Sequence, residues 1–100
     1  MLYAMEYLDF IWDENKNRKN IASHNISFEE AKTVFYDPNA RVVYDPDHSD
    51  DEARFIILGL SRSLNLLVVC HCYREDENII RIISARKATL KERKQYGGNL

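Results

Sequence analysis

The chain has 100 residues, a net charge of −2, 45% hydrophobic and 30% charged side chains, three glycines and two prolines. That length supports one core, so residues 1–100 are read as a single domain, and the composition excludes disordered and fibrous classes. The longest apolar runs, FIILGL and LLVVC, fall far short of the roughly 18 residues of a membrane span, and MLYAMEYLDF lacks the basic flank and cleavage site of a signal peptide. A cytoplasmic protein with no membrane partner is expected.

EYLDFIW alternates as a first strand, with Leu8, Phe10 and Trp12 on one side, and Met5 is a second candidate start. Asp13 offers an N-cap to ENKNRKNIASH, a polar helix whose expected anchors are Ile21 and Ala22. SFEE is a capping box, Ser27 to Glu30, and Phe28, Ala31, Val34 and Phe35 follow at helical spacing until Asp37 and Pro38 end the helix. From Ala40 the period changes to two: ARVVY, ARFIILGL, LLVVCHCY and NIIRIISA read as strands, separated by an acidic loop, SRSLN and REDE. Connections this short make antiparallel neighbours. The inner strands are apolar on both faces, so both faces need cover, one from the chain's helices and the other from a partner. Thr89 to Glu92 is a second capping box, opening LKERKQY, which Gly97 and Gly98 can stop. The fold class is therefore α+β: a small antiparallel sheet, made of an N-terminal strand and a four-strand meander, with two N-terminal helices and one short C-terminal helix.

Charge is unevenly placed. Asp45, Asp47, Asp50, Asp51 and Glu52 crowd one loop, whereas Arg81, Arg86, Lys87, Lys91, Arg93 and Lys94 make the final quarter basic. Such a local field can hold a phosphate chain whatever the total charge is. Cys70 and Cys72 point the same way on a strand and read as free core thiols, with His71 opposite them and no second ligand cluster, so neither metal nor cofactor is expected.

No phosphate loop, nucleophile elbow or paired-cysteine spacing is present. What remains is a set of cations and proton-moving groups, Arg54, Arg81, Arg86, His71, Tyr96 and Lys16, which suits metal-independent RNA cleavage. There the ribose 2′-hydroxyl attacks its own phosphate, and the protein supplies a base, an acid and cations for the oxyanion. Guanidinium fits the last role, and His71 is the central histidine for proton transfer. Tyr96 fits as a stacking platform, or as an acid or base once cations lower its pKa. The plainer alternatives are an ion pair for Arg54 with Glu52, a core position for His71, and a solvated helix face for Lys91, Arg93 and Lys94. Arg81, flanked by four isoleucines, must meet an anion, from the protein or from a ligand, and is expected to face a cleft. Arg81 and Arg86 are five apart and share a face only if the strand ends or bulges near Ser84 and Ala85. The expectation is sheet to Ile83 and a turn from Ser84.

WDENK, ISFEEAKTVFYDP, DPDHSDDEARFIILG, LLVV and RIISARKATLKERKQY, in that order from Phe10 to Tyr96, together resemble the BrnT family of bacterial type II toxins. The resemblance implies a RelE-like fold and an endoribonuclease that inhibits translation. It also implies a cognate BrnA-type ribbon-helix-helix antitoxin, bound in a hetero-oligomer of which a heterotetramer is one form, with operator DNA reached only through the antitoxin. It carries over Arg54, Arg81, Arg86 and Tyr96 as catalytic positions, with His71 the least secured by it. Lys16 is carried over as an RNA contact, and Lys87, Lys91, Arg93 and Lys94 supply the surrounding basic field. Where the family has a basic residue, His and Gly after the first helix, this chain has Ser23, His24 and Asn25, and Asn can take the left-handed turn that Gly would provide. Two alternatives stand beside it: a non-catalytic binding module of the same fold that grips an antitoxin or RNA backbone, and a structural role pairing Arg81 with an acidic-loop residue.

Overall fold

A computed structural model of the chain describes residues 8–74 and 78–96. In order these form β1 (Asp9–Ile11), α1 (Glu14–His24), α2 (Phe28–Ala31), which tightens into a 3-10 stretch at Lys32–Tyr36, β2 (Arg41–Asp45) and a 3-10 turn at Pro46–His48. Then come β3 (Arg54–Leu60), β4 (Leu66–Arg74), β5 (Ile79–Lys87) and α3 (Leu90–Arg93). The second start at Met5, the REDE turn across residues 75–77 and the stop at Gly97 and Gly98 lie outside the described residues.

The five strands make one sheet in the order β1-β5-β4-β3-β2. The meander from β2 to β5 is antiparallel, as its short connections require, while β1 adds to the far edge parallel to β5, Asp9 opposite Ile79. The sheet is thus mixed.

Local signals set the helix ends. The Asp13 carboxylate accepts from the N–H groups of Asn15 and Lys16 at 2.8 and 3.2 Å, and Asn25 closes α1 in the left-handed region at φ 58°. The expected anchors of α1 do not hold it: Ile21 is 41% exposed and Ala22 is exposed. Asn17 and Asn20 are buried instead, and their amides bind backbone. Asn17 Oδ1 accepts from Phe28 N–H at 2.8 Å, and Asn20 Nδ2 donates to the carbonyls of Ile26 and Ala85, both at 2.8 Å. The Ser27 box is half formed: Ser27 accepts from Glu30 N–H, but the Glu30 carboxylate accepts from Ser61 and Asn65 in the β3–β4 loop, tying α2 to the sheet.

The main core lies between these helices and one sheet face, where Ile26, Phe28, Ala31, Val34, Ile57, Leu67, Val69, Ile82 and Ala85 are buried together. The other face carries a smaller cluster, Leu58, Leu66 and Val68, against which Ile56, Leu60, Ala88 and Tyr96 pack. The chain's own C-terminal segment therefore covers part of the second face. The rest of that face is where the arginines emerge.

Candidate active site

Strict alternation would place Arg81 and Arg86 on opposite faces. The register between β4 and β5 shifts at one point: Cys70 lies opposite Ser84 but His71 lies opposite Ile82, which leaves Ile83 as an extra residue. This bulge resets the parity, so Arg81, opposite Cys72, and Arg86, opposite Val68, emerge from the same face. The strand does not turn away at Ser84 as expected; it runs on to Lys87. The bulge has an identifiable clamp. β1 pairs with β5 only as far as Arg81, and at Ala85 the Asn20 side chain takes the place of a neighbouring strand, donating to the carbonyl at 2.8 Å and accepting from the N–H at 3.0 Å.

A cleft of about 380 Å³ opens on that face, lined by the polar side chains of His24, Asp45, His48, Arg54, Ser84 and Arg86, with Cys70 and Val68 among the β4 residues beneath. Arg86 lines it as a held group, its guanidinium gripping both oxygens of Glu92 at 2.8 and 2.9 Å. That fork draws the Glu92 carboxyl down to about 2, helped by the Thr89 N–H. The second capping box is therefore complete, and its glutamate also aims an arginine. Arg81 meets Glu52 in an ion pair and its Nε lies 3.4 Å from the Cys72 sulfur; it sits on the cleft's side of the sheet without lining the cleft. Glu52 also lies 3.9 Å from Arg54, so one carboxylate bridges two arginines at the edge of the cleft. Burial pushes the Cys70 thiol up, which keeps it a neutral neighbour.

The two expected proton movers are not brought to this cleft as expected. His71 is fully buried on the opposite face, packed edge-on to Phe35 and Tyr73 with ring centres 4.8 and 5.4 Å away. Alternation puts it on the helix side, and desolvation lowers its pKa to about 4. Tyr96 packs on the smaller cluster and donates to Asp37, which also accepts from Leu60 N–H at 2.8 Å. Partial burial and that carboxylate push the Tyr96 phenol up to about 12, the reverse of the expected lowering by cations. Lys16 is exposed on α1, in a shallow hollow with Lys19 and Ser23 that shares His24 and Ile83 with the cleft. Lys87, Lys91, Arg93 and Lys94 are exposed and do not line the cleft.

Four side chains of the site were not singled out from sequence: His24, His48, Asp45 and Ser84. The signal for one pair lies in DPDHS, where Pro46 starts a tight turn and brings residues three apart together, so that His48 Nδ1 lies 2.9 Å from Asp45 Oδ2. Ser84 could be placed only once the bulge was known.

Residues 12–92 match the family described as the ribonuclease toxin BrnT of type II toxin-antitoxin systems. The chain belongs to the BrnT family. The match takes in every cleft residue and Glu92, and ends before Arg93, Lys94 and Tyr96. Among solved structures, the Brucella abortus ribonuclease toxin BrnT is similar, with a TM-score of 0.62 at 26% identity over 82% of this chain and 97% of that one. No curated protein matches. This chain thus has the BrnT fold as well as the family pattern, and among its described residues no helix is long and apolar enough to cross a membrane.

Proposed function

We propose that this BrnT-family toxin cuts RNA by metal-independent transesterification in the cleft between β2 and β5, that cleavage stops translation, and that a cognate BrnA-type ribbon-helix-helix antitoxin neutralises it in the cytoplasm. The observation that carries the reading is the convergence of Arg54 and Arg86 on one cleft. Two guanidiniums lining one cleft can bind the phosphate oxygens and offset the charge that grows on them in the pentavalent transition state. Arg81, held by Glu52 beside them, adds to the field and is released to a phosphate if the Glu52 contact opens. Lys16, Lys87, Lys91, Arg93 and Lys94 steer the RNA backbone from outside. His71 and Tyr96 take no proton-transfer role here.

The test is cleavage of RNA by purified protein. Cleavage unchanged by a chelator, and lost by roughly 100-fold or more in Arg54→Ala and Arg86→Ala while the thermal unfolding midpoint stays near that of the wild type, is expected. Retained cleavage in the double variant would remove these arginines from the site. A second reading, binding without turnover, is favoured by the two carboxylates already seated on the arginines, because an acidic antitoxin segment could replace Glu52 and Glu92. Growth of cells expressing the protein without its antitoxin separates the two, since a harmless protein favours binding alone. A short ribbon-helix-helix reading frame beside this one is the expected genetic context.

A further inference from the structure

We propose that His48 is the proton acceptor of the cleavage step and that Asp45 positions it. This rests on the ribonuclease reading above and names the group that reading lacks. The construction is local and complete. β2 ends at Asp45, opposite Arg54, and Pro46 turns the chain back through a 3-10 turn that delivers His48 three residues later onto the Asp45 carboxylate at 2.9 Å. The Asp45 side chain is 11% exposed and that of His48 is 68% exposed, so the carboxylate is sunk and the imidazole reaches outward over the cleft that both residues line. Ser49 fastens the turn, donating its hydroxyl to the Asp45 carbonyl and accepting from Arg54 N–H at 2.9 Å, which links the dyad to the start of the strand that carries Arg54.

The chemistry follows from which nitrogen faces the acid. A carboxylate accepts only, so Nδ1 carries the hydrogen and Nε2 keeps its lone pair in the neutral ring. Nε2 can then take the proton of the ribose 2′-hydroxyl as that oxygen bonds to phosphorus. The P–O5′ bond breaks, its electron pair leaves on O5′, and O5′ takes a proton from water; the hydroxide formed is neutralised by the proton that His48 returns. The ends are a 2′,3′-cyclic phosphate and a 5′-hydroxyl. Asp45 steadies the imidazolium formed midway, a role set by geometry and not by proton uptake. His24, the other histidine of the cleft, has no carboxylate partner among the described residues. The charged and titratable groups that line the cleft with His48 are Asp45 on β2, Arg54 on β3, Cys70 on β4, Arg86 on β5 and His24 on α1.

The experiment compares the wild-type protein with His48→Gln, Asp45→Asn and Arg86→Ala on an RNA oligonucleotide, and includes the same oligonucleotide with a 2′-deoxy sugar at the cut. For His48→Gln, kcat is expected to fall by roughly 100-fold or more with KM changed by less than about threefold. Free imidazole is expected to restore part of the activity of His48→Ala. For Asp45→Asn, kcat is expected to fall by roughly tenfold with KM changed by less than about threefold, and Asp45→Glu, which keeps an acceptor for Nδ1–H, is expected to recover part of it. The deoxy substrate is expected to stay intact. A His48→Gln enzyme as active as the wild type, beside an inactive Arg86→Ala, overturns this assignment and leaves the ribonuclease reading standing. A folded wild-type protein that cuts no RNA overturns both.

Discussion

His71 shows how one residue's place on a strand decides whether it is chemistry or core. Its ring is sealed among Phe35, Phe55 and Tyr73, and among the described residues Nε2 has no hydrogen-bond partner, so burial keeps the group neutral and its pKa falls to about 4. In the unfolded chain the same imidazole titrates near 6.5, so below that pH the unfolded state binds a proton that the folded state refuses. Stability is therefore full above about pH 6.5 and is lost as pH falls toward 4, by on the order of 3 kcal/mol from this residue. Urea unfolding at pH 7 and pH 4 is expected to show that loss in the wild type and a flatter response in His71→Phe, whose ring fits the same aromatic surroundings. Glu92 works in a lower window. Its folded pKa of about 2 lies below the ordinary carboxylate value, so its contribution is present above about pH 4.5 and disappears as pH falls through 2. Because the Arg86–Glu92 pair is partly solvated, Glu92→Gln is expected to cost about 1 kcal/mol, read by the same titration at neutral pH.

At the scale of elements, what was legible was what neighbours in the chain decide: the caps at Asp13, Ser27 and Thr89, the left-handed Asn25, and the change of period at Ala40 all act within a few residues. The bulge at Ile83 is not of that kind. It was legible only as a condition for Arg81 and Arg86 to meet, because its clamp is an asparagine 65 residues away that makes two hydrogen bonds to Ala85. Nor could periodicity find that α1 is held by amides, since Asn17 and Asn20 count as polar in any hydrophobic pattern. Asn20→Ala removes the strand substitute and leaves buried backbone groups at Ile26 and Ala85 unpaired, so it is expected to destabilise the fold by roughly 3 kcal/mol. Asn20→Asp cannot donate to either carbonyl and is expected to fare little better. Denaturant melts give both numbers, and cleavage assays at low temperature tell whether the surviving folded fraction has lost the shared face of Arg81 and Arg86. A similar constraint acts where β3 meets the 3-10 stretch: a Cβ on Gly59 would lie 3.1 Å from Val34 O, Val34 Cβ and Ala40 Cβ. With backbone among those contacts, Gly59→Ala is expected to lower stability by about 1–3 kcal/mol, measured in the same melts.

For the molecule as a whole, the sheet divides its two faces between stability and contact with the outside. Helices cover the middle of one face, over the main core, and among the described residues the other is covered at the end where Tyr96 and Ala88 reach Leu58, Leu66 and Val68, which leaves the arginine cleft open beside an exposed basic helix. The sequence pattern indicated a second face needing cover, though not that Arg81 stops short of the cleft, and it set the solvated field of Lys91, Arg93 and Lys94 apart from the arginines of the site. That distinction makes a measurable difference. Lys91, Arg93 and Lys94 are exposed on and just after α3, so they should act through counterion release, which is blind to the reacting atoms. Changing all three to Gln is expected to weaken RNA binding most at low salt and to flatten the slope of log affinity against log salt by roughly 1–2, while kcat at saturating RNA stays within about twofold. Arg86→Ala should do the opposite, cutting kcat while removing at most about one phosphate from the slope. If the helix variant instead lost kcat with an unchanged slope, the basic helix would have to touch the scissile phosphate, and the division between a steering helix and a reacting cleft would fail.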